Sequence, residues 1–342
     1  MFKTIPHFAL LLSALALPGA GSVAAERTAQ EQAVPVSCKL DRAKLPGYQV
    51  KLSAIAIGFN GEHEKKLKMA IEELELAGKN GVDAACLPEE FAGTRAEPIP
   101  GPTTKAIAEL ARKYSMYVIC PIREQAGNEQ FNTAVLLDRQ GQIAGYYRKV
   151  FVFWGEGLNV SREGVKTFDT DFGKVGILTC FDANFPELWQ ECNSQKADVV
   201  FWPSAYGGGE PLNAYSALYH YCIVAVGWGD IIDPISGKAL ESCQKVSAHQ
   251  FVATVDLDAT LVHKDFTDAK IARLIKEHKG EVALDERFNT QLNRENWYLL
   301  KALKPGVRVR ELLKQYNIEP LRDYQLRSRK EINEIRAKGG KV

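Results

Sequence analysis

The chain has 342 residues, 46% of them hydrophobic and 25% charged, the composition of an ordinary globular protein with room for one large domain or two smaller ones. Lysine and arginine total 43 against 42 for aspartate and glutamate, and a formal net charge of +1 leaves nucleic acid or anionic lipid no global field to answer to. Seven cysteines, at positions 38, 86, 120, 180, 192, 222 and 243, form no C-x-x-C pair, so their spacing suggests neither a zinc cage nor a dithiol redox motif.

The N-terminus departs from this average. MFKTIPHFALLLSALALPGAGSVAAER sets Lys3 ahead of an apolar run from Phe8 to Leu17, then Pro18, Gly19 and small residues through Ala25. That run falls short of the roughly 18 to 20 apolar residues a spanning helix needs, so residues 1–25 read as a secretory signal peptide and not an anchor. Cleavage after Ala24 or Ala25 suits the small-residue preference, and a polar linker follows over 26–47. No later stretch is long and apolar enough to span a bilayer, so the mature protein is expected to lack a membrane span and to be secreted or periplasmic.

YQVKLSAIAIGF (48–59) alternates as a strand, and EHEKKLKMAIEELELAGKNG (62–81) places Leu67, Ile71, Leu74 and Leu76 near helical spacing ahead of Gly81. VDAACLPEEF then reads as a buried strand that ends at Pro88. Strand, helix and strand make a right-handed crossover unit, whose product is a parallel sheet. A second helix over 103–115 leads into a strand at 116–122, and a hairpin around Gly141 joins strands at 131–138 and 143–151. Further strands are expected at 173–180, 197–204, 221–228, 229–234 and 249–258, with PISGK as a turn before the last and helices near 186–195 and 212–221. Mixed sheets covered by helices would fill 48–264. From residue 265 the chain turns polar and is expected to form a helical C-terminal extension, either a solvated helix pair or a tail wrapped on a second subunit.

Cys86 and Cys120 lie in apolar strand segments and read as small core residues. Cys180, in GKVGILTCFDANFPELW, follows a strand directly and opens a polar turn. A neutral thiol is a modest nucleophile that needs a base or a cation nearby. Histidine is the usual base, but His63, His220, His249, His263 and His278 sit in no Cys-His protease context, and His7 leaves with the signal peptide. Two other strand ends offer partners: Glu89 in CLPEEF and Lys149 in GYYRKVF. Groups that emerge from the ends of buried strands converge readily on one cleft.

LPEEF, YYRKV and GILTCFDANFPE, in that order, resemble the nitrilase superfamily of carbon-nitrogen hydrolases, and the likeness extends over roughly 50–260. The resemblance implies a four-layer α-β-β-α sandwich, an α/β fold with two mixed β-sheets flanked by helices. It implies Cys180 as nucleophile, Glu89 as general base and acid, and Lys149 as the cation that steadies an oxyanion, helped by the backbone N–H of Phe181. Glu90 would be structural. A second glutamate that orients the lysine and the substrate would be Glu156, with Glu163 as the alternative. The resemblance calls for no cofactor and no metal, and it implies a homodimer or higher homo-oligomer, for which residues 186–195 and the C-terminal tail are the interface candidates.

Asn184 stands where relatives acting on acid-bearing substrates carry an arginine, so a small neutral amide is the expected substrate, cleaved to a carboxylic acid and ammonia through a thioester. Arg95 or Arg123 could still bring positive charge from another loop, and Trp154 and Tyr206 are candidate pocket walls. A nitrilase or an N-carbamoyl-amine amidohydrolase would use the same Glu-Lys-Cys set. A non-catalytic binding or assembly protein on the same fold is the alternative of another class. Export also raises oxidation of Cys180, or its pairing with Cys192 or Cys222.

Overall fold

The computed structural model describes residues 39–342 apart from 59 and 60. The signal-peptide segment, Cys38 and the linker up to that point lie outside the described residues. The described chain runs through β1 (Gln49–Ile55), α1 (His63–Lys79), β2 (Ala84–Cys86), α2 (Pro102–Tyr114), β3 (Tyr117–Ala126), β4 (Glu129–Leu137) and β5 (Ile143–Arg148). It continues with β6 (Thr167–Thr170), β7 (Gly173–Ile177), a 3-10 turn at Cys180–Asn184, α3 (Pro186–Ser194), β8 (Val199–Trp202) and α4 (Glu210–Tyr219). Strands β9 (Cys222–Ala225), β10 (Asp230–Ile232), β11 (Gln244–Lys245) and β12 (Gln250–Asp256) complete two sheets.

One sheet has the order β11-β12-β1-β2-β3-β4-β5, the other β10-β9-β8-β7-β6. Both are mixed: β1-β2-β3 and β7-β8-β9 run parallel within them, and their other neighbours pair antiparallel. The parallel strands are short and apolar because both of their faces are covered. Alternation along β3 and β4 decides which layer each residue joins. Ile119, Ala134 and Leu136 share a core with Val175, Ile177, Val199 and Phe201 of the second sheet, whereas Val118, Cys120, Val135 and Leu137 pack under Leu74 of α1 and Ile107 of α2. On the far side, α3 lays Leu188, Trp189 and Cys192 on the second sheet. Gly176 permits that approach, since a Cβ there would stand 2.9 Å from the Cys192 sulfur. The resulting order of layers is helix, sheet, sheet, helix, and the hairpin turn falls at Gly141 with φ +75°.

The expectation for 265–342 needs correcting. Besides helices α5 (Asp268–Glu277), α6 (Glu286–Arg294), α7 (Val309–Gln315) and α8 (Leu321–Ala337), that stretch contains β14 (Val282–Leu284) and β15 (Trp297–Ala302). Together with β13 (Thr260–His263) these form a three-stranded antiparallel sheet in the order β13-β15-β14. Val262, Ile271, Leu274, Leu300 and Leu313 give it a small core of its own, so the boundary at 264 cuts between β13 and its partners. β14 is only three residues long, and Lys301 interrupts the apolar run of β15, so neither strand shows a period in the sequence. This C-terminal portion belongs to the same contact unit as the two large sheets. Arg322 fastens it there, donating to the carbonyls of Ala197 at 2.6 Å, Tyr219 at 3.1 Å and His220 at 2.8 Å. In α8 the buried residue is Leu321. Among the described residues no helix is long and apolar enough to cross a membrane.

Candidate active site

Three strand ends meet. Glu89 lies three residues past β2, and Glu90 turns the chain there with a positive φ of 41°. Arg123 holds that turn through Glu90, at 2.7 and 3.1 Å. Lys149 directly follows β5, and its backbone N–H donates to the Asn132 carbonyl at 2.9 Å. Cys180 lies three residues past β7 with φ 49°, a left-handed conformation that costs a non-glycine residue on the order of 1–3 kcal/mol. Neighbours impose it: the Cys180 N–H donates to Pro203 O at 3.0 Å, and the Cys180 carbonyl accepts from Trp202 Nε1 at 3.1 Å and the Tyr206 hydroxyl at 3.4 Å.

Lys149, its side chain fully buried, sits with Nζ 2.8 Å from Glu89 Oε1 and 2.6 Å from Glu156 Oε1. Glu89 also accepts from Asn132 Nδ2 at 2.8 Å and from the Ala205 N–H at 3.2 Å, and its charge acts on the Cys180 thiol. Glu156 takes a second bond from the Phe153 N–H at 3.2 Å, while its Oε2 is buried without a hydrogen-bond partner among the described residues. Two carboxylates therefore surround one ammonium beside a neutral thiol. Burial works against the Lys149 charge, but Glu89, Cys180 and Glu156 outweigh it and hold the amine protonated well above the ordinary lysine range. Burial, then the Glu89 charge, pushes the Cys180 thiol up to about 12 against the pull of Lys149. At neutral pH the sulfur keeps its proton, and a base beside it is what a neutral thiol needs in order to act as a nucleophile.

The other expected residues divide. Phe181 is half-buried, edge-on to Phe153 at 5.3 Å and Phe185 at 5.4 Å. Tyr206 reaches the nucleophile's carbonyl, and Asn184 lies at the exposed rim, donating to Phe181 O at 3.1 Å. Trp154 does not line the pocket: it is 88% exposed, because Phe153–Glu156 close a turn, with Gly155 at φ +98°, that directs the indole outward. Glu163 pairs with Lys166 on the surface and faces Arg148 at 3.9 Å, so Glu156 is the second glutamate at Lys149. Arg123 is occupied by Glu90, and Arg95 is exposed. Cys180, Cys192 and Cys222 are all free thiols, the latter two buried. Among the described residues no group of three or more His, Cys, Asp or Glu is placed to hold a metal ion.

Sequence reasoning missed Asn132 and the Ala205 N–H. Strand alternation offered a signal for the first, since Asn132 shares a face of β4 with the core residue Ala134; a backbone donor carries none.

Residues 51–218 match the family model for carbon-nitrogen hydrolases. The chain carries a carbon-nitrogen hydrolase domain of the nitrilase superfamily. Its relatives include a citrullinase of Francisella tularensis, 26% identical over an alignment of 299 positions that covers 78% of this chain and 99% of that protein. A β-ureidopropionase of Arabidopsis thaliana is 33% identical over 41% of this chain and 40% of its own length. Among solved structures, a carbon-nitrogen hydrolase of Helicobacter pylori superposes with a TM-score of 0.55 at 17% identity, over 62% of this chain and 90% of that one. A nitrilase-superfamily amidase of Nesterenkonia AN1 gives 0.54 at 16% identity, over 68% and 98%. At those identities the superpositions establish the fold, and they agree with the layer order of this hydrolase domain.

Proposed function

We propose that this carbon-nitrogen hydrolase cleaves a small, neutral, terminal amide to a carboxylic acid and ammonia, with Cys180 as nucleophile. The observation that carries the reading is that Glu89, bonded to the Lys149 ammonium, also acts electrostatically on the Cys180 thiol. As the sulfur attacks the carbonyl carbon, Glu89 accepts the thiol proton, and the carbonyl oxygen becomes an oxyanion steadied by Lys149 and the backbone N–H of Phe181. Glu89 then returns the proton to the amide nitrogen, because nitrogen leaves as ammonia and not as an amide anion. The thioester is hydrolysed by a water whose proton Glu89 takes; the intermediate expels sulfur, which recovers that proton, and the acid departs. Glu156 supports amide recognition through its unpartnered Oε2, an acceptor for a substrate N–H.

The test is ammonia release from short aliphatic amides, carbamoyl compounds and nitriles, wild type against Cys180→Ala. Substrate-dependent ammonia that disappears in the variant is expected; equal release by both would end the proposal. A terminal carbamoyl group is the second reading, supported by the relatives named for citrulline and ureido substrates. It predicts carbon dioxide and an amine alongside ammonia. We also place the mature protein outside the cytoplasm, as a homodimer or larger homo-oligomer, on the strength of residues 1–25 and the family resemblance. N-terminal sequencing of the exported protein and light scattering of the purified one check these points.

A further inference from the structure

Two residues past the thiol lies a carboxylate for which the chemistry above finds no use. Asp182 is fully buried, yet its oxygens accept three hydrogen bonds from two separate stretches of chain. Oδ2 takes the Tyr147 hydroxyl at 2.8 Å and the Thr179 N–H at 2.9 Å, and Oδ1 takes the Phe151 N–H at 2.9 Å. Thr179 immediately precedes Cys180, while Tyr147 and Phe151 bracket Lys149 on either side. The two stretches come from different sheets, β7 and β5. We infer that Asp182 is a positioning residue, a carboxylate clasp that fixes the nucleophile's turn against the segment bearing the oxyanion cation.

Charge is needed for the clasp. The two N–H groups can only donate and the Tyr147 hydroxyl donates as well, so an ionised carboxylate accepts all three at once, whereas a protonated acid must turn its own hydrogen toward the tyrosine oxygen and give up that donor. Burial pushes the Asp182 carboxyl up to about 6, and the two backbone N–H groups, Tyr147 and Lys149 hold it from rising further. The groups that face it are Tyr147 from β5, Lys149 beyond that strand and Cys192 from α3. Burial keeps the tyrosine and the cysteine neutral, and the lysine stays charged, so between pH 5 and 7 Asp182 alone of this set changes its charge.

The inference rests on the proposed thiol chemistry, and activity surviving in Cys180→Ala would remove that chemistry without reporting on the clasp. The clasp is tested by kcat and KM of Asp182→Asn and by the pH profile of Tyr147→Phe. In Asp182→Asn the amide meets a donor with its own NH2, and kcat is expected to fall about 30-fold or more while KM stays within about threefold. Tyr147→Phe keeps the ring and removes the hydroxyl that favours the ionised form, so the acid limb of kcat/KM should move upward by about half a pH unit or more. Tyr147 touches Asp182 and not Glu89, so a limb set by the general base would stay where it is. An unmoved limb overturns the inference, as does a folded Asp182→Asn with kcat within about threefold of wild type. Should Asp182→Asn fail to fold, the Tyr147→Phe profile decides alone.

Discussion

Two cations of this molecule, each flanked by two acids, differ sharply in their surroundings. Lys149 lies between Glu89 and Glu156 at 2.8 and 2.6 Å, and on α8 Arg327 lies between Glu319 and Glu331 at 2.9 Å from each. The Lys149 side chain is fully buried, that of Arg327 is 47% exposed. Water competes for every contact of the outer group and screens its charges, so the pairing there contributes little. In the inner group each ion has lost its hydration, and each is tolerable only while the others remain. Burial, more than the identity of the residues, decides how strongly a cation and its two flanking acids depend on one another.

The largest effect should come from breaking the inner group at its centre. Lys149→Ala is expected to lose at least about 100- to 1,000-fold in kcat, since it deletes an oxyanion donor, and to cost roughly 3–5 kcal/mol of stability by leaving carboxylates buried without a counter-charge. Steady-state kinetics and urea melts measure both, and activity within tenfold of wild type would contradict the role given to Lys149. Glu156→Gln comes next: it keeps the shape but loses the charge facing Lys149, so kcat should drop by about 10- to 100-fold with the fold retained, as circular dichroism would verify.

A smaller effect concerns Asp182 and stability. Its carboxyl titrates near 6 when folded against an ordinary 3.8, a difference worth roughly 3 kcal/mol. Well below the ordinary value of 3.8 both states are protonated. As pH rises from 4 to 6 the unfolded chain ionises first, so this group's contribution to stability is lost through that window. The melting temperature of wild type minus that of Asp182→Asn should therefore decrease from pH 4 to pH 7; a flat difference would refute the assignment. At the small end, Arg327→Ala should leave both activity and melting temperature unchanged within error, and a clear loss of either would break the contrast between the inner and outer groups.

Legibility from sequence followed the same divide. Glu89, Lys149 and Cys180 could be picked out because each follows a strand end and the three lie in motifs that together resemble the nitrilase superfamily. The layered fold was readable for a related reason, since strands covered on both faces are nearly continuous apolar runs. The contacts that complete the site were not readable. The Ala205 N–H and the Phe151 N–H are backbone groups whose neighbours are decided by convergence of the two sheets, and Trp154 points outward because of a turn that its own residue type does not specify. β14 and β15 were hidden because a three-residue strand is too short to show a period, and because WYLLKA mixes buried Leu299, Leu300 and Ala302 with the less buried Trp297, Tyr298 and Lys301.

β1 pairs along its whole length with β12, from Gln49 opposite Asp256 to Ile55 opposite Gln250. The segment that matches the family model stops at residue 218, well before β12 begins. A gene fragment cut to those limits would begin inside β1 and leave its remaining residues, 51–55, as an open, sticky margin ready to recruit another copy. Anyone transplanting or shuffling this hydrolase should carry the return strand along, because the unit that folds is longer than the unit that similarity outlines.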